Sequence, residues 1–195
     1  LVEHQIFQGL YDYSETNSLV PALAKSHVIS PDGRTFFITI DTTKTFSDGT
    51  PLTADLVWKS LTSTVARLGT KAQWAFGEVE GFNEFVAKGD PKKLTGLKVR
   101  DSQTLEIKLS APFAQFLQVL TSPNFVIVNS QKLILTGTGA YKLTNFGKES
   151  ITLQLRKDAP VNGRPTKITF IRSPDFDATL KLARAGQIDV FQAPL

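Results

Sequence analysis

The segment Thr45–Leu61, TFSDGTPLTADLVWKSL, constrains the fold more than any other part of the sequence. Ser47–Gly49 predicts a turn, because glycine tolerates the positive φ that many tight turns require. Thr53 can cap a helix with its hydroxyl oxygen, and Gly69 can end that helix. The apolar stripe of the helix consists of Val57, Leu61, Val65 and Leu68. These residues predict a turn followed by an amphipathic helix, which is scaffold rather than chemistry.

Strand patterns surround this unit. Side chains alternate along Thr35–Ile40 after a turn at Pro31–Gly33, which predicts a β-strand. The segment 96–112 predicts a hairpin around Asp101–Ser102. Further strands are predicted within FVIVNS (125–130), TGTGAYKLTNF (136–146), SITLQLRKD (150–158) and KITFIRS (167–173).

The apolar spacing that predicts helices is weaker than the strand patterns and occurs only in short stretches. Val2, Ile6 and Leu10 lie on one face of a short N-terminal helix, and residues 111–123 predict another. QWAFGEVEG (73–81) predicts an aromatic loop before a short helix. Near the end, Ser173 can cap a helix that Gly186 stops, and Ile188–Phe191 then begins a strand. Strands and helices therefore mix without a regular βαβ rhythm.

Composition excludes several classes of function. The net charge is +4, but Lys and Arg are scattered, and the densest cluster, Lys88–Lys93, contains Asp90. This pattern indicates a solvated surface rather than a nucleic-acid interface. No apolar run reaches eighteen residues, and no cysteine is present for a disulfide or thiolate metal site. The first residues lack a signal peptide, and the chain has no Met, which we interpret as a mature, trimmed or partial product.

Candidate catalytic groups are explained better by local roles. His4 and His27 lack the additional ligands that a zinc site needs. Ser26 beside His27 has no nucleophile elbow, so a catalytic triad is not indicated. Asp48 and Asp55 fit a turn and a helix start better than a glycosidase pair. Gly137 and Gly139 lack the remaining residues of a phosphate-binding loop. We therefore expect no enzymatic activity, no metal and no cofactor.

The aromatic residues Trp74 and Phe76 stand beside glycines and outside any clear periodicity. Aromatic side chains at such positions can line a binding cleft, where flat apolar faces bury a ligand. They can equally cover the core of a small lobe. The sequence pattern leaves both interpretations open.

Four motifs in order resemble the bacterial extracytoplasmic solute-binding proteins of family 5, the peptide and nickel class. VPALAKSHVISPDG is similar to the segment that opens the family pattern, with His27 where an aromatic residue is usual. FSDGTPLTADLV matches the next motif closely. GTGAYKL resembles the family's GTGPY, with Ala140 in place of proline, and ARAGQIDVF resembles the closing signature.

This resemblance implies an α/β fold with a mixed sheet, like that of periplasmic binding proteins. The chain would form the first of two lobes that close around a ligand, with the second lobe absent. Residues 1–45 would begin the lobe, 46–125 would form an inserted subdomain, and 126–195 would return toward the hinge.

The implied function is that of the substrate-binding component of an ABC importer, located in the periplasm or elsewhere outside the cytoplasm. Short peptides are the expected ligand, and the permease subunits are the expected partners. Membrane contact would occur only through the permease or a removed lipid anchor. Nickel chelates, opines and oligosaccharides remain alternatives, as does a signalling or chaperone-like module. By its place after the TADLV helix, Trp74 is the first candidate ligand contact, with Phe76 and Asn124 as further candidates.

Overall fold

The structure is a computed structural model that describes residues 2–129, 136–159 and 163–191. The chain divides into two compact units, Leu1–Ala140 and Tyr141–Leu195. No helix among the described residues has the length and apolar character needed to cross a membrane. The predicted boundaries of an inserted subdomain, 46–125, stay a prediction.

The first unit contains a four-stranded antiparallel sheet in the order β3-β4-β6-β5, together with a short β1–β2 hairpin. The strands are β1 (Tyr11–Tyr13), β2 (Leu19–Pro21), β3 (Ala24–Ile29), β4 (Thr35–Ile40), β5 (Leu97–Val99) and β6 (Thr104–Lys108). The predicted strand at Thr35–Ile40 and the predicted hairpin around Asp101–Ser102 are both confirmed.

The helices of the first unit are mostly short. They are α1 (Val2–Ile6), α2 (Ala54–Leu68), α3 (Gln73–Phe76), α4 (Phe82–Lys88) and α5 (Phe116–Val119). Short 3₁₀ helices occupy Gly69–Ala72, Pro91–Lys93 and Pro123–Phe125. The predicted N-terminal helix ends before Leu10, and the predicted helix at 111–123 contains only one α-helical turn.

Helix α2 has the local design that the sequence predicts. The backbone N–H of Leu56 donates to the Thr53 hydroxyl at 3.3 Å, which caps the first turn. Gly49 adopts φ 84°, and its N–H donates to the carbonyl of Phe46 at 2.9 Å, so the preceding turn is also confirmed. The backbone of Gly69 follows the last helical residue at φ 56°. Short-range chemistry therefore sets both ends of this helix.

The core of the first unit lies between the four-stranded sheet and α2. Phe36, Ile38 and Ile40 alternate toward it from β4, and each is no more than 1% exposed. Val57, Leu61 and Val65 face it from α2 and are fully buried. The Trp58 indole N–H donates to the Leu97 carbonyl at 2.8 Å, which ties α2 to β5.

The second unit is a three-stranded antiparallel sheet, β7-β8-β9, followed by one helix. Its elements are β7 (Tyr141–Phe146), β8 (Ser150–Leu155), β9 (Lys167–Ile171) and α6 (Phe176–Arg184). A bulge between Leu143 and Asn145 places one extra residue, Thr144, on β7. The three strands predicted in this part of the sequence are confirmed.

Several predictions about local structure are wrong. Residues 126–129 form no strand, since the N–H of Ile127 donates to the Gln8 carbonyl instead of to a sheet partner. Ser130, the last residue of that predicted strand, lies outside the described residues. The cap of α6 is Asp175 rather than Ser173, because its carboxylate accepts from the N–H of Ala178 at 2.7 Å. Residues 188–191 also form no strand.

Candidate functional site

Trp74 stands on one turn of helix immediately after α2. The chain leaves α2 through a 3₁₀ helix and enters α3, so the aromatic segment is helical and the predicted loop is wrong. Within α3, Ala75 and Phe76 turn inward and are at most 2% exposed. Trp74 turns outward and remains 56% exposed. A large, flat apolar side chain is thus held at the surface on a short helical element.

Phe125 supports Trp74 from a distant part of the chain. It ends the 3₁₀ helix Pro123–Phe125, whose first turn is capped by the Ser122 hydroxyl accepting from the N–H of Asn124 at 3.3 Å. The Phe125 ring is fully buried. Its centroid lies 5.9 Å from the Trp74 ring at an interplanar angle of 51°. The exposed indole therefore rests on a buried aromatic ring.

The aromatic contacts continue into the core. Phe76 lies 4.9 Å from Phe125 between ring centroids and 6.1 Å from Phe116. Phe116 in turn lies 5.2 Å from Phe36 on β4. Tilted and edge-on ring pairs such as these are each worth about 0.5–1.5 kcal/mol beyond their burial. An uninterrupted series of ring contacts thus connects Trp74 to the central sheet.

The backbone beyond Phe125 is fixed to α2. The Ser60 hydroxyl, which is fully buried, donates to the carbonyl of Val126 at 3.4 Å and accepts from the N–H of Val128 at 2.9 Å. These bonds satisfy partly buried backbone groups in a segment that has no sheet partner. They hold the 3₁₀ helix beneath Trp74 in place.

The structure brings the three predicted site residues into one neighbourhood. Trp74 and Phe76 both contact Phe125, and Asn124 is its sequence neighbour. Trp74 and Asn124 are exposed, whereas Phe76 is fully buried beneath them. We call Trp74, Asn124 and Phe125 the aromatic platform. The platform offers apolar contact and amide hydrogen bonds, and none of its side chains titrates.

Phe125 is the residue that the sequence analysis missed. Its segment was expected to form a strand because Phe, Val and Ile follow one another. The available signal was Ser122-Pro123, a capping residue before a proline, which favours the start of a helical turn. The pairing with Trp74 had no local signal, because fifty residues separate the two.

The other candidate groups take structural roles. The Tyr11 hydroxyl lies 3.1 Å from His27 Nδ1, and burial raises the pKa of the Tyr11 phenol. The Asp48 carboxylate accepts from the N–H of Thr50, and Asp55 pairs with Lys59 at 2.7 Å. No group of three or more metal-ligating side chains is assembled within the described ranges.

Comparison with known proteins identifies the family. Residues 18–195 match the sequence profile described as bacterial extracellular solute-binding proteins, family 5 Middle. The chain belongs to this family. The match includes α2 with its preceding turn, the aromatic platform and the β7–β9 sheet. The candidate site of this family 5 protein therefore lies inside the region shared with the family.

Curated relatives of this family 5 protein are distant and longer. The dipeptide-binding protein DppE of Bacillus subtilis is 24% identical over 98% of the chain, and the match covers 38% of DppE. The periplasmic oligopeptide-binding protein OppA of Salmonella typhimurium is also 24% identical, over 97% of the chain and 38% of OppA. The chain thus spans about two fifths of the length of these relatives.

Solved structures confirm the fold. The chain matches OppA of Listeria monocytogenes, described as bound to peptide, with a TM-score of 0.82 and 22% identity over 96% of the chain and 40% of that protein. The Escherichia coli murein tripeptide binding protein MppA gives a TM-score of 0.81 at 25% identity, over 96% of the chain and 40% of MppA. The predicted α/β fold, similar to that of periplasmic binding proteins, is confirmed.

Proposed function

We propose that this family 5 protein is the substrate-binding component of an ABC importer that captures short peptides. Support comes from the family and from relatives that are named for binding dipeptides, oligopeptides and murein peptides. Capture outside the cytoplasmic membrane and delivery to permease subunits follow from the same proposal. The proposal also includes that the protein binds its ligand without converting it chemically.

We further propose that the aromatic platform contacts the ligand. The observation that carries this assignment is the 56% exposure of Trp74 on a ring that is itself fully buried. An indole held in this way offers apolar contact area at little cost in conformational entropy, because its rotamer is already restrained. Asn124 would donate or accept hydrogen bonds beside it, and Phe76 would act by supporting Phe125.

Native mass spectrometry of the natural full-length protein, purified from its host without refolding, tests the ligand class. A series of co-purified peptide masses is the expected result. A single mass for a nickel chelate, an opine or an oligosaccharide would overturn the peptide assignment. Incubation with the same peptides should leave their masses unchanged, since the proposal includes no hydrolysis.

Tryptophan fluorescence tests the platform separately. The chain has two tryptophans, and Trp58 is tied to the Leu97 carbonyl inside the first unit. In the full-length protein, the difference in emission between a Trp58→Phe variant and a Trp58→Phe/Trp74→Phe variant reports on Trp74. A shift on peptide addition is expected, and an unchanged spectrum at saturating peptide would contradict contact at Trp74.

A further inference from the structure

The sheet of the second unit has one apolar and one polar face. Cross-strand neighbours share a face of a sheet, so the register groups the side chains directly. Phe146 pairs with Ile151, and Ile151 pairs with Phe170, which forms an apolar row across all three strands. The opposite face carries polar rows such as Lys142, Gln154 and Lys167.

The bulge at Thr144 places Phe146 on the apolar face. Leu143 pairs with Leu153, and Leu153 lies two residues from Ile151 on the same face of β8. If the same residues of β7 paired with β8 without a bulge, Phe146 would oppose Ser150 and point to the polar face. The bulge therefore completes an apolar row whose outermost member, Phe146, is 77% exposed.

This row forms the floor of an open groove of about 520 Å³ at the β7–β8 turn. Its apolar lining comes from the row Phe146, Ile151 and Phe170, and its charged lining from Lys148 and Arg172. Ile171 also borders the groove, although it opposes Ser150 in the register. Neither cation forms an ion pair with another described residue. Glu149 lies in the same turn but does not line the groove. We call these lining residues the β7–β8 groove.

The charge of the whole chain is concentrated in this unit. Residues 141–195 contain nine Lys and Arg against five Asp and Glu, whereas residues 1–140 contain thirteen of each. The net charge of +4 therefore belongs to the second unit. Such an imbalance attracts anionic partners and repels cationic ones at distances comparable to the Debye length.

We propose that the β7–β8 groove docks a protein segment in which apolar side chains are flanked by Asp or Glu. The apolar floor would receive the apolar side chains, and Lys148 and Arg172 would meet the carboxylates. This proposal is independent of the peptide site, because all of its residues lie in the second unit.

Three other occupants fit less well. A second copy would bring two pairs of unpaired cations together, which electrostatic repulsion disfavours. A small molecule would stay mostly solvated, because Phe146 leaves the groove open, whereas ligand pockets usually enclose their ligand. A membrane surface is contacted best by several protruding apolar groups, and in this row only Phe146 is exposed, whereas Ile151 and Phe170 are half-buried.

Amide NMR spectra of the ¹⁵N-labelled chain test the proposal with two probe peptides. One is acetyl-Glu-Leu-Phe-Glu-Leu-Asp-amide, and the other carries Lys at the three acidic positions. The acidic peptide is expected to shift the amides of residues 146–151 and 170–172, and the basic peptide is expected to leave them unchanged.

Two variants should weaken binding of the acidic peptide. Phe146→Ser removes the exposed end of the floor and is expected to reduce affinity about tenfold. Lys148→Glu is expected to reduce it severalfold at low salt, with the difference shrinking at about 1 M salt. Both residues are exposed, so folding should be retained. Val28→Ser and Lys92→Glu make the same changes at exposed positions of the first unit and should have no effect.

Several results would overturn the proposal. One is the absence of shifts in the groove at millimolar acidic peptide, and another is equal binding of the basic peptide. A third is Phe146-dependent sedimentation with phosphatidylglycerol vesicles in place of peptide binding. A fourth is resistance of a Phe146→Cys variant to maleimide in the polypeptide expressed from the natural gene, because the groove would then be filled from within.

Discussion

The indole of Trp74 rests on the ring of Phe125 with centroids 5.9 Å apart, although fifty residues separate them in the chain. The pair joins α3, which follows α2, to a 3₁₀ helix that α2 holds through Ser60. One exposed residue is thus supported by two short elements that are anchored to the same helix.

Replacing Trp74 with alanine should reduce peptide affinity in the full-length protein while leaving stability nearly unchanged. Loss of an exposed aromatic contact is expected to weaken binding at least tenfold, as at many aromatic binding hot spots. The free energy of unfolding should change by less than about 1 kcal/mol, because the ring is more than half exposed. Titration calorimetry and urea unfolding measure the two effects. Val28→Ala, at another exposed apolar position, is the control and should alter neither.

Replacing Phe125 with alanine should, in contrast, strongly reduce the stability of the protein. Deletion of a fully buried phenylalanine costs about 3–5 kcal/mol of unfolding free energy. The Trp74 emission should also shift to the red, because the indole loses its support. Phe113→Ala, at a partly buried ring that also contacts Phe116, should cost clearly less. Equal losses in the two variants would show that Phe125 has no special position in the series of ring contacts.

Ser60→Ala should destabilise the first unit by about 1–3 kcal/mol. The variant removes the fully buried hydroxyl that accepts from the partly buried N–H of Val128, and a donor left unsatisfied away from water carries a penalty of this order. Ser63→Ala, on the exposed side of the same helix, should be neutral or slightly stabilising because alanine favours helix. Urea unfolding compares the two. Faster hydrogen exchange of the Val128 amide in Ser60→Ala is expected as well.

Gly81→Ala should be far more damaging than Gly89→Ala. Both glycines flank α4 with positive φ, 83° and 69°, so both substitutions carry a backbone cost of about 1 kcal/mol. A methyl group at Gly81 would also collide with the Lys93 carbonyl oxygen, whereas one at Gly89 would meet open space. Thermal unfolding should therefore show a much lower Tm for Gly81→Ala. Similar Tm values would contradict the close approach at Lys93.

Asp101 should titrate below its ordinary range. The N–H groups of Gln103 and Thr104 donate to its carboxylate at 2.8 Å each and lower its pKa, in the turn of the β5–β6 hairpin. Its contribution to stability is present above the pKa of the unfolded chain and is lost as pH falls through the lower folded pKa. Carboxyl NMR titration should give a value below about 3.9. In Asp101→Asn the corresponding part of the acid dependence should disappear.

Sequence reasoning succeeded where a few neighbouring residues decide the structure. Thr53 and Gly49 act through partners three residues away, so the cap and the turn of the α2 unit could be predicted. It failed where a distant group supplies the hydrogen bond. Ile127 donates to Gln8 rather than to a neighbouring strand, and this alternative has no local signal.

The candidate site was predictable only in part. Trp74, Phe76 and Asn124 were named from the sequence and its resemblance to the family, and the structure places them in one neighbourhood. The burial of Phe76 and the supporting position of Phe125 depend on tertiary packing across fifty residues. Such packing follows from the complete fold and not from residue types at fixed spacing.

The bulge at Thr144 makes the length of β7 matter more than its composition. Deleting one residue between Leu143 and Phe146 would remove the bulge and leave the phenylalanine opposite Ile151, whereas inserting one residue there would turn it toward the polar face. Most substitutions there would leave its direction unchanged. Natural variants should therefore tolerate new side chains at residues 144–145, and the loss of one of these residues, but should avoid a single-residue insertion or the loss of both. In this hairpin, natural selection would constrain the number of residues more strongly than their identity.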